Sequence, residues 1–369
     1  MNRLFRWDQT GLFLLALAAG ILPFAVPEVC AAALREGLTL CSGPLLLSLF
    51  PFLVVSRLLI QCPESDLLAL PFRLAAWGIG IRTPCAARVL CIGFLGGFAP
   101  AASAAAQAVR TGQLTAEEAD ALLPACICSG PSFVVLTVGQ SLLGSAELGV
   151  LLFASQITAN YLTAALLNRF SGVHSVKQRP AAPASPAPPR LDEILADAAI
   201  TYCKLCGFIL FFRLLAAGAG ALLPAGAGTL CAILLEVCSG CDLASRTGRW
   251  GSLLCCAALS VQGLSVLLQV RTICPPEMTL RPLYRSRMLH LPLSLALFYL
   301  LLPGGEADVF STLPARVLLM RRVPPDCALL VFAVCCMAAC TLRSGIRQVE
   351  QKQMARNAGG CCINSKTLL

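Results

Sequence analysis

Apolar runs of roughly 20 residues, the length a helix needs to cross a bilayer, recur along the chain. They lie at 11–27, 39–60, 121–143, 147–170, 199–222, 251–271, 286–303 and 327–342. Inside lipid the backbone must satisfy its own hydrogen bonds, so only helices and closed barrels can span. A barrel requires alternating polar and apolar positions, whereas Leu, Ala and Val run on continuously here. Charged residues make up 13% of the chain, apolar residues 57%, and the mean hydropathy is +0.78. Soluble domains carry about one quarter charged residues, which excludes an ordinary water-soluble enzyme. The expectation is an all-α polytopic membrane protein with about eight transmembrane helices.

The net charge of +9 comes from 28 Lys and Arg against 19 Asp and Glu. In a membrane chain such an excess reads as cytoplasmic-side Lys and Arg, and no nucleic-acid partner is expected. With the N-terminus inside, only Arg35, Arg246, Arg249, Arg316, Arg321 and Arg322 fall outside, Lys204 and Arg213 fall within a span, and all the others are cytoplasmic. This bias supports N-in and C-in. The segment 11–27 follows Arg3 and Arg6 without a small-x-small cleavage site and reads as an uncleaved first span.

Two apolar stretches are too rich in small residues and breakers to be straight spans. Residues 91–109 contain Gly97 and Pro100; residues 228–247 contain Ser239, Gly240 and Asp242. Both read as re-entrant helical hairpins with those residues at or beside the tips. Two further spans are interrupted, one at Ser129-Gly130-Pro131-Ser132 and the other at Gln262-Gly263. The Pro/Ala/Ser-rich segment within 173–190 reads as a solvated linker. It separates a first repeat (38–172) from a second (191–303), flanked by an N-terminal span and connector (1–37) and a final span with a basic tail (304–369). Each half runs span, hairpin, broken span, span, and begins on opposite sides of the bilayer. That is the inverted-topology repeat of secondary transporters, whose sites form where unwound segments meet near the midplane.

The motif order GFLGGFAPAASAAAQAV, ICSGPSF, LLEVCSGCDLASRTG and LSVQGLSVLLQV resembles the YlbJ/SpoVV family of sporulation integral membrane proteins. These nucleoside-recognition ("Gate") domain proteins are similar to concentrative nucleoside transporters. The resemblance covers roughly 38–303 and implies a two-hairpin transporter core that moves dipicolinate across the outer forespore membrane. The chain departs from the family pattern in four places. Pro100 is shifted by one residue, and Cys128 stands where a polar residue precedes Ser-x-Pro. Gln156 occupies the place of a histidine, and Leu267 or Leu268 that of another.

Ser129, Gly130, Ser132, Gln262, Gly263 and Ser265 are the expected substrate contacts, because helix N-termini exposed at breaks favour an anion. Glu236 matches the family's Glu-Val pattern. An acid at membrane depth needs a partner or a role, such as substrate contact, proton or cation coupling, a pair with Arg213, or a hairpin cap. Arg213 suits a carboxylate through its bidentate donors. Gln140, Gln156, Asn160 and Gln269 read as interhelical hydrogen-bonding groups. Thr115 with Glu118 forms a capping box. The tail residues Arg343, Arg347, Lys352, Arg356 and Lys366 are expected at anionic headgroups, with Cys361 and Cys362 as candidate lipidation sites. The pairs Cys203/Cys206 and Cys238/Cys241 lie in apolar sequence with neither His174 nor His290 nearby, so no metal, cofactor or catalytic residue is expected. The expected partners are a small anion such as dipicolinate, a coupling cation or proton, and the lipid bilayer. A nucleoside-type transporter and a non-transporting scaffold are the alternatives.

Overall fold

The computed structural model describes residues 9–62, 65–171 and 191–302, and every regular element among them is helical. In order these are α1 (Gln9–Ala25), α2 (Pro27–Ser42), α3 (Pro44–Gln61), α4 (Ser65–Leu68), α5 (Leu70–Gly78), α6 (Pro84–Gly96), α7 (Phe98–Arg110), α8 (Ala116–Cys126) and a π-helix (Ser132–Leu142). Next come α9 (Ala146–Ser171), α10 (Leu191–Leu222), α11 (Ala225–Leu235), α12 (Val237–Ser245), a single 3-10 turn (Gly248–Trp250), α13 (Gly251–Val261), α14 (Gly263–Ile273) and α15 (Arg281–Leu301). The 174–190 linker, the span at 327–342 and the basic tail lie outside the described residues.

Among the described residues, four helical stretches are long and apolar enough to cross a membrane: Pro27–Gln61, Ala146–Ser171, Leu191–Leu222 and Gly248–Ile273. Their surroundings invert the soluble pattern. Phe24, Phe170, Leu74 and Leu300 are largely exposed, while Gln156, Asn160, Glu236, Gln262, Gln269 and His290 are buried. A water-soluble monomer rarely exposes so much apolar surface, so the chain is a membrane-embedded protein, all-helical among its described residues.

The connector expected before residue 38 is itself helical. Pro27 at its start and Glu28 in the first turn suit a helix N-terminus, and α2 packs along α10. The first hairpin begins at Pro84 rather than near residue 91, since Pro84 opens α6 with Thr83 before it in extended conformation. Its limbs fold back on each other. A Cβ on Gly93 would lie 3.2 Å from the Cβ of Ala101, eight residues later, where a continuous helix would separate them by about 12 Å. The pair α11/α12 folds back likewise, with Ile233 Cα 2.8 Å from a Cβ built on Gly240. In contrast, α8 and the π-helix, and α13 and α14, are broken without their limbs folding together.

The capping box read in the sequence is present: Thr115 accepts from Glu118 N while the Glu118 carboxylate accepts from Thr115 N. It starts α8 on the side where Asp120 holds the α14–α15 loop. Asp120 accepts from Thr279 N (2.8 Å), Thr279 Oγ1 (2.6 Å) and Leu280 N (3.0 Å). Leu280 there has φ +56°, a conformation unfavourable for a side chain with a Cβ. Replacing Asp120 by Ala therefore orphans these donors and is expected to cost about 2 kcal/mol or more. Breaking the exposed Asp242–Arg246 pair should cost less than about 0.5 kcal/mol. Thermal unfolding of D120A and D242A in detergent checks the contrast, and equal losses would contradict it.

Candidate functional site

All four helix interruptions meet. The first hairpin turns at Gly97 (φ +79°), so close to the break after α8 that a Cβ there would stand 2.6 Å from Gly130 N and 3.2 Å from Cys128 O. The second turns at Glu236, whose backbone is extended (φ −151°, ψ 127°). It lies against the break between α13 and α14: a Cβ on Gly263 (φ +68°) would stand 2.9 Å from both Glu236 N and Leu235 O. The two breaks approach each other as well, with Gln262 Nε2 3.5 Å from Ser129 Oγ, a long hydrogen bond. Each hairpin thus docks its turn on the break that follows it in sequence.

A cavity of about 50 Å³ lies at this junction. Ser129, Gly130, Ser132, Glu236 and Gln269 are among its lining residues, with Leu45, Leu49 and Ile209 on its apolar side. The volume suits a few waters or a small ion, since one water needs about 10–15 Å³ of such space. Four helices (α7, the π-helix, α12 and α14) begin beside it. Their first-turn N–H groups have no intrahelical partner, so the junction gathers partial positive charge.

Glu236, 1% exposed, offsets part of that charge. Its carboxylate accepts from Cys238 N (2.8 Å), Ser239 N (2.7 Å) and Ser239 Oγ (2.9 Å). It caps α12 and lines the cavity at once. Gln262, Gly263 and Ser265 stand just behind the lining. Gln262 holds a left-handed backbone (φ +66°) and donates to Leu259 O at 2.7 Å. Ser265 accepts from Gln269 Nε2 at 2.9 Å. The side-chain carbonyls of Gln262 and Gln269 are buried and find no donor among the described residues.

Other expected residues lie elsewhere. Arg213 pairs with Glu36 of α2 at 2.7 Å, not with Glu236, and does not line the cavity. The helical α2 brings that acid beside α10. Asp242 pairs with Arg246 one turn along α12. The second turn falls at Glu236 rather than Ser239-Gly240, because the carboxylate of Glu236 supplies the N-terminal cap and Gly240 gives the limbs room to touch. Pro100 sits in the first turn of α7, its ring against Gly96.

One cluster was not expected from the sequence. Arg287, 8% exposed, donates from Nη2 to Asn160 Oδ1 (3.0 Å) and from Nη1 to Ser260 O (3.5 Å). Asn160 donates to Ile127 O at 3.3 Å. The cation therefore sits by the C-terminal ends of α8 and α13, where the helix dipoles are negative. His290 Nε2 lies 3.2 Å from Gln156 O in the same cluster. The spacing Arg287-x-x-His290 inside an apolar helix was the available signal.

No family model, no curated protein and no solved structure matches this chain.

The junction predicts opposite outcomes for glycines that look alike in sequence. Gly97→Ala and Gly263→Ala place a Cβ in left-handed backbone, at about 1–2 kcal/mol each, and against backbone atoms under 3.0 Å away. Gly207→Ala, with nothing within 4 Å, should be neutral or stabilising by up to about 1 kcal/mol. Melting temperatures of the three variants test the docking directly.

Proposed function

We propose that the chain is a secondary-type transporter of a small anionic solute, built from two inverted repeats and working by alternating access. The observation that carries this reading is the meeting of four helix interruptions at one small, mostly apolar cavity into which Ser129, Ser132, Glu236 and Gln269 bring the polar groups. Irregular backbone at membrane depth is tolerated where it is buried in protein or lines a wet site, and transporters place their substrates at such points. The order of elements supports the repeat. The run α3, α6/α7, α8/π-helix, α9 corresponds to α10, α11/α12, α13/α14, α15, and each hairpin turn packs on its own half's break.

Four helix N-termini favour an anion, and Ser129 and Ser132 supply neutral hydroxyls. Glu236 and the undonated Gln269 carbonyl suit a coupling cation or proton beside it. Ligand pockets usually span about 300–1,000 Å³, so a cavity of about 50 Å³ fits a closed state that must widen to admit solute. Dipicolinate as the anion, and the outer forespore membrane as the location, rest on the motif resemblance alone. The topology in this reading is N-in and C-in, from the Lys and Arg bias. The scaffold alternative draws on the same small volume.

Uptake of labelled dipicolinate into proteoliposomes separates the readings. Transport that Ser132→Ala lowers about tenfold, with the protein still folded and inserted, supports the proposal. Ser132 is the sharper probe because its hydroxyl bonds to no other described residue, whereas Glu236→Ala also removes a cap. Uptake no faster than in protein-free liposomes favours the scaffold, whereas protein-dependent uptake indifferent to both variants removes Ser132 and Glu236 from the solute site. Thermal stabilisation by dipicolinate but not by nucleosides excludes the nucleoside-type alternative.

A further inference from the structure

A second cavity of about 170 Å³ opens along α3, α7, α10 and α14, four of the helices that bound the first. Its lining includes Arg57 of α3, Ser103 and Arg110 of α7, Asp197, Thr201 and Lys204 of α10, and Thr272 of α14. Three of its side chains are cationic and one is acidic. Arg57 is 9% exposed and paired with Asp197; its Nη2 reaches Thr201 Oγ1 at 3.4 Å, while its buried Nε has no acceptor among the described residues. No carboxylate among the described residues pairs with Arg110 or Lys204.

The two cavities are in register on every wall. Along α3, Leu45 and Leu49 line the first cavity and Arg57 the second, with fully buried Leu53 between. On α7 the order is Phe98, Ala99, then Ser103 and Arg110; on α10, Ile209, Leu205, then Lys204 and Thr201; on α14, Gln269, then Thr272. Between them lie Leu53, Ala99 and Leu205, part of a buried apolar cluster that also takes in Leu49, Ala198 and Tyr202. Such a layer blocks a charged solute, because an ion crossing apolar contacts loses its hydration.

We propose that the second cavity is an anion-binding vestibule for a small carboxylate or phosphate-class oxyanion, separated from the central site by this apolar gate. The Lys and Arg bias puts it on the cytoplasmic side. Three cations around one carboxylate give a site of net positive charge, which raises the local concentration of anions and their association rate. Arg57 Nε, Arg110 and Lys204, none of them paired with a carboxylate among the described residues, supply the donors, and Asp197 holds Arg57 in place while weakening the field. The anion-binding claim stands on this cavity; its role in feeding the central site rests on the transport reading.

The test has two arms. In the first, equilibrium binding of dipicolinate and of inorganic phosphate to the purified full-length protein is measured at low and high salt. Wild type should bind, R110Q/K204Q should lose about tenfold or more in affinity at low salt, and S132A should keep the salt-sensitive component. Asp197→Asn should move affinity the other way, which a merely structural role for these residues would not produce. In the second arm, uptake is measured in neutral and in anionic vesicles. R110Q/K204Q should raise KM with little change in kcat in both lipids. A KM effect confined to anionic vesicles assigns the basic residues to lipid headgroups and overturns the vestibule. Unaltered binding in R110Q/K204Q overturns it too. Wild type that binds with this charge dependence but does not transport leaves the vestibule standing and defeats the transport reading.

Discussion

The rest of the structure depends on how the chain disposes of main-chain polar groups where its helices stop. In a bilayer each unsatisfied N–H or C=O costs several kcal/mol, and this chain stops four helices inside its core. The carbonyl ends of α8 and α13 are met by Asn160 on Ile127 O, by Arg287 on Ser260 O and by Gln262 on Leu259 O. At the amino ends, Glu236 takes the N–H groups of Cys238 and Ser239, while α7, the π-helix and α14 begin without a side-chain cap. Carbonyls are satisfied by a fixed cation and amides, and much of the N–H side is left to the cavity. That asymmetry is what a ligand can use.

Charge follows the same division. Arg287 has no carboxylate partner among the described residues, and a lone buried cation is unfavourable unless hydrogen bonds and dipoles compensate it. Two helix C-termini supply that compensation. Glu236 does the reverse at a helix N-terminus. The buried acid and the buried base are therefore each matched to a helix dipole rather than to one another. A salt bridge between them would have neutralised both and left the cavity without a field.

The places where the chain must break were legible in the sequence, because Gly97, Ser129-Gly130 and Gln262-Gly263 are poor in helix and stand inside apolar runs. Which break folds back and which carries on followed from the small residues flanking the first kind: Gly93 and Ala101, and Gly240, let backbones touch. The turn at Glu236 was harder to see. Glu is not among the favoured N-capping residues, and Cys-Ser-Gly-Cys looks more like a turn than like the tightly packed helix it forms. The partner of Arg213 lies 177 positions away at Glu36, on a helix that reads as a charged connector. Arg287 reads as a cytoplasmic flank because it follows Arg281 and Arg285. Packing of α15 against α8, α9 and α13, after the loop held by Asp120, buries Arg287. Long-range packing decided these three, and the sequence carries only partial signals of it: an acid at membrane depth for Glu236 and the Arg287-x-x-His290 spacing.

The tight glycine contacts also constrain any movement that opens the central cavity. Within each hairpin the limbs touch at backbone distance, so neither can flex without losing its packing. The softer boundary lies between the hairpins and α3 and α10, whose contacts are the Leu, Ala and Tyr side chains of the buried apolar cluster. Side chains of that kind exchange partners by changing rotamer, whereas Gly97 against Gly130 and Gly263 against Glu236 cannot separate slightly without exposing main-chain groups. Under alternating access, then, α3 and α10 have to part from α7 and α14 to join the two cavities. In that proposed cycle the hairpin turns would stay docked on their breaks while that side opens and release for the opposite one. The proposed site and one gate would then share the same main-chain contacts, which would couple occupation of the cavity to the side it faces.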